Sequence, residues 1–309
     1  MKKTVLKLSA ASIGALHCIN KYIDTTVSDN RMKSTGKIYN WKNGNIFYRV
    51  SGQGKPILLL HDVNVFSSEN DWNQVMSGLS EDNRVYAPDL IGCGRSDKPA
   101  VTYTGYFYVQ MITDFVKNVI REKTTVIASG RSSVFALMAN ALDTEIFDKM
   151  IFINPPAKSS MKKMPDQHSK ILIRLFGLPI IGKTCYYMAT SRTNTEDYFS
   201  ERGYFNPFLI KQQTVRAAYQ SAHYGSGNGR YLFASLEGGY LNTDPTETLK
   251  KAGKEITVLI SDHLPGSKET ADNYAKINES VKIRTLKNTK QLPELETPDI
   301  VADIILESI

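Results

Sequence analysis

The sequence predicts an α/β protein with an open, mostly parallel sheet covered by helices on both faces. Short unbroken apolar runs recur along the chain, and such runs are typical of strands buried on both faces. Amphipathic segments of helix length separate these runs, so that strand and helix alternate. The alternation stops at residues 158–245, where helix-period patterns dominate. We therefore expect one sheet interrupted by a helical insertion.

Seven segments have the pattern of strands. Residues 46–50 alternate between apolar and polar side chains, as in a strand with one exposed face. Gly52 and Gly54 then turn the chain into residues 56–60, the first unbroken apolar run. The other strands are predicted at 84–87, 124–128, 150–153, 255–260 and 281–286.

Helices are predicted at 71–79, 106–120, 133–142 and 269–277. A last helix is expected to begin at Pro298, because Thr297 is a favoured N-cap residue and proline fits the first helical turn. The insertion contains the glycine-rich stretch 225–229. Since no strand precedes these glycines, they indicate a loop and not a phosphate-binding site.

Residues 1–35 form a separate N-terminal segment. A basic start is followed by a weakly apolar stretch from Leu8 to Ile19, which is shorter than the roughly 20 residues that span a bilayer. Lys7 directly precedes the stretch and separates it from Val5 and Leu6, and no small-residue cleavage pattern follows, so secretion is not favoured. We expect residues 1–30 to form a helix on a membrane surface or on the domain itself, in a cytoplasmic or membrane-associated protein.

Charge and composition exclude several classes of function. The net charge of +7 comes from scattered residues without an arginine-rich arm, so no nucleic-acid partner is expected. The three cysteines have no metal or redox spacing and predict free thiols in a reducing compartment. No histidine-rich motif is present and no phosphate-binding loop follows a strand, so neither a metal nor a cofactor is predicted.

The loops after the predicted strands carry the most specific motifs. His61 ends the first apolar run, residues 89–99 read DLIGCGRSDKP, and residues 291–298 are similar to the pattern His-x-Pro-His-x-Glu-x-Pro. Together with Trp72 they resemble the α/β-hydrolase fold superfamily of the dehalogenase, epoxide hydrolase and esterase type. The resemblance implies a mostly parallel central sheet flanked by helices. Its two halves would be residues 36–157 and 246–309, with a helical cap at 158–245.

This resemblance implies a nucleophile on a sharp turn between strand and helix, with small residues around it. The gapless register places Gly130 at that position, and glycine has no side chain that can attack a substrate. A shift of two residues would offer Ser132 instead. That register puts Val134 where a small residue is needed.

The family's base and acid positions are altered as well. Gln291 stands where the family has its histidine, and an amide has no basic nitrogen. No histidine follows His263, so a small alignment error restores none. Leu264 falls at the acid position when the following proline is aligned with that of the family. Asp262 and His263 lie beside it and would be the partners of Ser132 in an altered constellation.

The oxyanion hole of this family uses backbone N–H groups and therefore tolerates substitution. By resemblance, Val63 and Arg131 would supply them. Asp62 replaces the usual glycine after His61, and a carboxylate there would oppose a developing negative charge. His61 would hold the loop by hydrogen bonds.

Three functions follow as hypotheses. The leading one is a non-catalytic member of the superfamily that binds a small, largely apolar molecule or a partner between sheet and cap, because nucleophile, base and acid are lost together while the packing motifs persist. The alternative is an active hydrolase of a small ester that uses Ser132 and a non-standard base. The third is an interaction protein tethered at a membrane by residues 1–30.

Overall fold

The computed structural model describes residues 2–29, with side chains from 12 to 26, and residues 35–309. The sheet in this part of the chain has eight strands: β1 Lys37–Trp41, β2 Gly44–Ser51, β3 Lys55–Leu60, β4 Asn83–Pro88, β5 Thr124–Ser129, β6 Phe147–Ile153, β7 Glu255–Ser261 and β8 Lys282–Leu286. Their order is β1-β2-β4-β3-β5-β6-β7-β8, and all but the β1–β2 and β2–β4 pairs are parallel. The predicted mostly parallel sheet is therefore confirmed. Only β1 was not predicted, since it is a short and largely exposed edge strand.

The helices are α1 Lys2–Asp29, α2 Asn73–Leu79, α3 Gly105–Phe115, α4 Arg131–Leu142, α5 Lys158–Met161, α6 Gln167–Gly177, α7 Ile181–Ala189, α8 Arg192–Asp197, α9 Gln212–His223, α10 Gly229–Glu237, α11 Thr246–Lys250, α12 Ser267–Ile277, α13 Pro293–Glu296 and α14 Pro298–Ser308. Short π-helical turns extend α3 through Val116–Ile120 and α8 through Tyr198–Gly203. Helix α14 begins at Pro298 as predicted. However, the Thr297 side chain makes no cap hydrogen bond there and instead donates to the carbonyl of Pro293.

Strand β3 shows why its sequence is an unbroken apolar run. Leu58 and Leu60 belong to the core cluster on one face of the sheet, which includes residues of α3 and α4. Ile57 and Leu59 belong to the cluster on the other face, which includes residues of α2 and α14. Because successive side chains of a strand point to opposite faces, both sets must be apolar.

The parallel register brings the ends of β3, β5, β6 and β7 to the same edge of the sheet. Leu60 pairs with Ala128, the neighbouring Ser129 with Ile153, and Ile153 with Leu259. The loops that follow these strands therefore meet at one edge, where open α/β sheets bind ligands. All the site positions predicted on those loops lie at this edge.

Helices α5 to α10 lie between β6 and β7 in the chain and form what we call the helical insertion. Helix α1 packs against it, because the Asn20 amide donates to the carbonyl of Ile180 and to the hydroxyl of Thr184. No single helix among the described residues is long and apolar enough to cross a membrane. Helices α6 and α7 meet that criterion only as a pair, and they are bent by 103°.

Candidate active-site region

Gly130 forms the sharp turn between β5 and α4. Its backbone has φ 54° and ψ −130°, a conformation that residues with a side chain rarely adopt. Its N–H donates to the carbonyl of Ile153, which holds the turn at the edge of the sheet. A Cβ atom at this position would lie 2.3 Å from Cγ of Asp62. The Asp62 carboxylate thus fills the space into which a nucleophilic side chain would project.

The same carboxyl group lies at the expected oxyanion hole, where the backbone N–H groups of Val63 and Arg131 would be the donors. Oδ1 of Asp62 accepts a hydrogen bond from the N–H of Arg131 at 2.7 Å, and the N–H of Val63 acts to lower the pKa of the same carboxyl group. Burial raises the pKa of Asp62, while the Arg131 guanidinium and the two backbone donors oppose that rise. A carboxyl group of the chain itself therefore sits where a reaction intermediate would place its negative charge.

His61 is buried and has both ring nitrogens engaged. Nδ1 lies 2.7 Å from the carbonyl oxygen of Asp62 and so carries the proton, while Nε2 accepts the N–H of Leu90 at 3.1 Å. Burial lowers the pKa of His61 to about 4. The ring is thus a neutral brace between two loops and has no free nitrogen to accept a substrate proton.

The three positions implied by resemblance for the triad line one cavity of about 280 Å³. Gly130, Leu264 and Gln291 are joined there by Asp62, Arg131 and Asn154. The fold therefore brings the expected positions together, but they present a hydrogen atom, an aliphatic side chain and an amide. Among the described residues no cluster of three or more histidine, cysteine, aspartate or glutamate side chains is arranged for a metal ion.

Asn154 organises this cavity and was not singled out from sequence. Its amide donates to Oγ of Ser261 and to the backbone carbonyls of Lys290 and Gln291, while Oδ1 accepts the N–H of Ser261. It adopts a positive φ of 46° at the end of β6, which asparagine tolerates better than most residues. Asn154 thus ties β7 to the loop that carries Gln291.

The residues of the alternative constellation, Ser132, Asp262 and His263, make contacts other than those of a catalytic triad. Ser132 is buried in α4, and its hydroxyl donates to the carbonyl of His61 at 2.5 Å. His263 lies 3.9 Å from Oδ1 of Asp262 and stacks on Phe205, with the ring centroids 3.9 Å apart. In the described residues no hydrogen bond joins Ser132 to His263 or Asp262, and Ser132 lines neither of the cavities described in this section.

A buried acidic cluster lies behind the Gly130 turn and was also missed from sequence. Oε1 of Glu294 accepts the hydroxyl of Ser129 at 2.9 Å, whereas Oε2 has no partner among the described residues. Burial raises the pKa of Glu294 to about 7. Burial, followed by the charge of Glu294, raises the pKa of Asp71 as well. The signal in the sequence was the glutamate at the second histidine position of the tail pattern.

A second cavity, of about 530 Å³, lies between the loop after β3 and the helical insertion. Val65 and Phe66 from the loop face Tyr198, Phe233 and Leu236 from the insertion. Arg131 lines this cavity as well as the first one. Its Nε–H is buried and has no acceptor among the described residues. The structure therefore presents an unsatisfied donor beside an aromatic and aliphatic wall.

Comparison with known proteins agrees with the fold. The chain is 28% identical over 107 residues to an uncharacterized protein of Mycobacterium tuberculosis (strain ATCC 25618 / H37Rv), over 35% of this chain and 31% of that protein. It is 26% identical over 108 residues to a 2-hydroxy-6-oxo-6-(2'-aminophenyl)hexa-2,4-dienoic acid hydrolase of Metapseudomonas resinovorans, over 34% of this chain and 37% of that enzyme. The chain thus matches about a third of the length of these curated relatives.

Solved structures are similar over a larger part of the chain. A serine hydrolase involved in carbazole degradation superposes with a TM-score of 0.72 at 18% identity, covering 88% of this chain and 97% of that one. The epoxide hydrolase CorEH superposes with a TM-score of 0.71 at 16% identity, over 88% and 97%. The model of the alpha/beta hydrolase family matches residues 57–304, which include β3 to β8 and the whole helical insertion. The chain belongs to the alpha/beta hydrolase family.

Proposed function

We propose that this chain is a non-catalytic member of the family and binds a small molecule at the edge of its sheet. One observation carries the proposal: the Asp62 carboxyl group accepts a hydrogen bond from the backbone N–H of Arg131, one of the two expected oxyanion-hole donors, and fills the space into which a side chain at position 130 would project. A hydrolase needs these donors free, because they stabilise the negative charge that develops in the transition state. In this chain the N–H of Arg131 is already bound to the Asp62 carboxyl group.

The loss of chemistry is broader than one position. Removing a single oxyanion-hole donor costs an enzyme about 10²–10³ in rate. Here the nucleophile position is Gly130, and Gln291 lines the cavity where a base is needed. Catalytic groups act as a unit, so a single group that remains contributes little to the rate once the others are absent.

The ligand that fits this region has an apolar body and an oxygen that accepts a hydrogen bond. The apolar body suits the wall formed by Val65, Phe66 and Phe233. The oxygen suits Nε of Arg131, because a buried donor without an acceptor is costly and a ligand would satisfy it. The relative from Metapseudomonas resinovorans is named for a dienoic acid that carries an aromatic ring and acceptor oxygens. We propose a ligand of this general chemistry, bound without being cleaved.

Turnover assays test the non-catalytic part of the proposal. We expect p-nitrophenyl esters of short to medium acyl length to be hydrolysed no faster with the protein than in buffer, and Ser132→Ala to change nothing. Measurable turnover that Ser132→Ala abolishes would establish the alternative, an active esterase with an altered constellation. Turnover that survives this substitution would contradict the proposal as well.

Thermal unfolding with model ligands tests the binding part. We expect 4-phenylbutyrate or its amide to raise the midpoint, and Arg131→Met to lose that increase, because a ligand that binds only the folded state stabilises it. A preference for the acid over the amide would identify a carboxylate as the acceptor. Arg216→Met is the matched control, since Arg216 is an exposed arginine on α9. If neither compound raises the midpoint, or if Arg131→Met binds as well as the parent, the proposed site is wrong.

A further inference from the structure

Apolar side chains are exposed where α6 turns into α7. Ile171, Leu175, Leu178 and Ile181 have between 36% and 59% of their surface exposed. Ile171 and Leu175 are four residues apart and so lie on one side of α6, and Leu178 directly follows the last residue of that helix. A Cβ at Gly182 would lie 2.6 Å from the carbonyl oxygen of Leu175, which places the start of α7 against the end of α6. We call these four residues the α6–α7 corner.

Helix α1 packs beside the start of α7. Asn20 bonds to Ile180 and Thr184, and Asp24 accepts bonds from Lys183 and Tyr187. Helices α1 and α7 therefore run parallel to each other. The part of α1 that precedes Asn20 extends past the first residue of α7, next to the α6–α7 corner. Ile13 and Ile19 in that part of α1 are 44% and 51% exposed.

Positive charge is concentrated on the same helices. Helices α1, α6 and α7 contain seven lysines and arginines and two acidic residues, Asp24 and Asp29. Lys170 and Arg174 are exposed on α6 beside the exposed apolar side chains. In the described part of the chain neither of them lies in an ion pair. Their charges are therefore available to a negatively charged partner.

We infer that α1 and the α6–α7 corner form a surface that binds the interface of an anionic lipid bilayer. An apolar stripe flanked by lysine and arginine has the chemistry of helices that lie in the headgroup region. The apolar side chains enter the acyl boundary, while Lys170 and Arg174 contact the anionic headgroups. The helical insertion would then face the membrane, and the 530 Å³ cavity that it covers would lie close to a source of apolar ligands.

Co-sedimentation of the full chain with lipid vesicles tests this inference. We expect binding to vesicles of phosphatidylcholine mixed with phosphatidylglycerol, and much weaker binding to phosphatidylcholine alone. High salt should weaken the binding, because it screens charges near the surface. Failure to bind the anionic vesicles at low salt, or equal binding to both compositions, would overturn the inference.

Two pairs of substitutions locate the surface. Leu175→Glu with Ile181→Glu should abolish sedimentation, while Leu142→Glu with Leu306→Glu, on exposed leucines of α4 and α14, should leave it intact. Lys170→Gln with Arg174→Gln should weaken binding about fivefold for each charge removed. The exposed pair Lys251→Gln with Lys287→Gln is the control for charge.

Circular dichroism would verify that every variant folds. Equal loss of binding in the control pairs would show that the contact is not at the corner. An apolar patch can also bind a second copy of this chain, and light scattering in solution tests this by measuring the oligomeric state. A dimer that Leu175→Glu with Ile181→Glu dissociates would assign the corner to self-association and overturn the lipid proposal.

Discussion

At the scale of single residues, the decisive contacts join groups that are far apart in the chain. Asp62 reaches the N–H of Arg131 across 69 residues, and Ser129 reaches Glu294 across 165. Each contact places a carboxylate against the Gly130 turn, one on the cavity side and one behind it. From each contact we predict an effect of substitution that depends on the surroundings of the carboxyl group and not on the residue type alone.

Gly130→Ala tests the position of the Asp62 carboxylate. We expect it to destabilise the protein by roughly 1–2 kcal/mol for the positive φ and by a further ~1–3 kcal/mol for crowding against Asp62. In the background Asp62→Gly the second part should disappear, and denaturant unfolding of the four proteins measures that difference. Gly266→Ala is a matched control, since Gly266 has φ 76° and open space around it. Equal costs of Gly130→Ala in both backgrounds would show that the carboxylate is elsewhere.

Glu294→Gln tests the buried acid behind the turn. The pKa of Glu294 is about 7 in the folded protein, above its ordinary value of 4.5, so the folded state holds a proton that the unfolded state releases between these values. Stability therefore falls as the pH rises through this window. At pH above 7 the free energy of unfolding of Glu294→Gln should exceed that of the parent by on the order of 3 kcal/mol. This difference should vanish below a pH of about 4.5.

Chemical denaturation across this pH range measures the effect. The exposed Glu269→Gln, in the first turn of α12, is the control and should show no such crossover. A Glu294→Gln variant whose stability parallels that of the parent at every pH would contradict the raised pKa.

At the scale of elements, α1 is attached to the helical insertion through few contacts. Asn20 is buried, and Asp24 lies 2.5 Å from Nζ of Lys183 in a partly exposed ion pair. Most described side chains from residue 12 to 19 are exposed. An element held in this way is expected to open locally without unfolding the sheet, because so few interactions are lost.

Asn20→Ala measures the strength of that attachment. It removes the three hydrogen bonds that the Asn20 side chain makes with Ile180 and Thr184, so hydrogen exchange of α1 amides should become at least several times faster. The midpoint of global unfolding should change little. Lys21→Ala is the neighbouring control, because Lys21 is exposed. Unchanged exchange in Asn20→Ala, or a large fall in the global midpoint, would show that α1 is held differently.

At the scale of the whole molecule, the fold of a hydrolase is intact while its chemical positions are not. The eight-stranded sheet brings Gly130, Leu264 and Gln291 to one cavity, as an active enzyme would bring its reactive groups. The scaffold therefore retains the geometry on which catalysis would depend. Gly130, Leu264 and Gln291 provide no nucleophile, acid or imidazole at those positions, and the Asp62 carboxyl group is bound to the N–H of Arg131.

Reintroducing the missing groups tests this view of the molecule. We expect the combination Asp62→Gly, Gly130→Ser, Leu264→Asp and Gln291→His to be acylated by p-nitrophenyl acetate, with the added mass on residue 130. The same set with Asp62 retained should react at least tenfold more slowly, because the carboxylate opposes the oxyanion. Mass spectrometry of the peptides measures both. Acylation at the same rate with Asp62 present would refute the role assigned to that residue.

The sequence by itself determined the sheet and the residue types at the positions that resemble the family's nucleophile and histidine. Apolar runs such as Ile57–Leu60 identify buried strands because the pattern is local and each side chain must enter one of two cores. The identities of Gly130 and Gln291 likewise show, without any structure, that these two positions carry neither a nucleophile nor a base. Only the tertiary structure decided where the Asp62 carboxylate points, that the hydroxyl of Ser132 is bound to the carbonyl of His61, and that Glu294 is buried. These outcomes depend on segments that meet across the sheet edge, and no local pattern contains the partner of a hydrogen bond that lies many residues away.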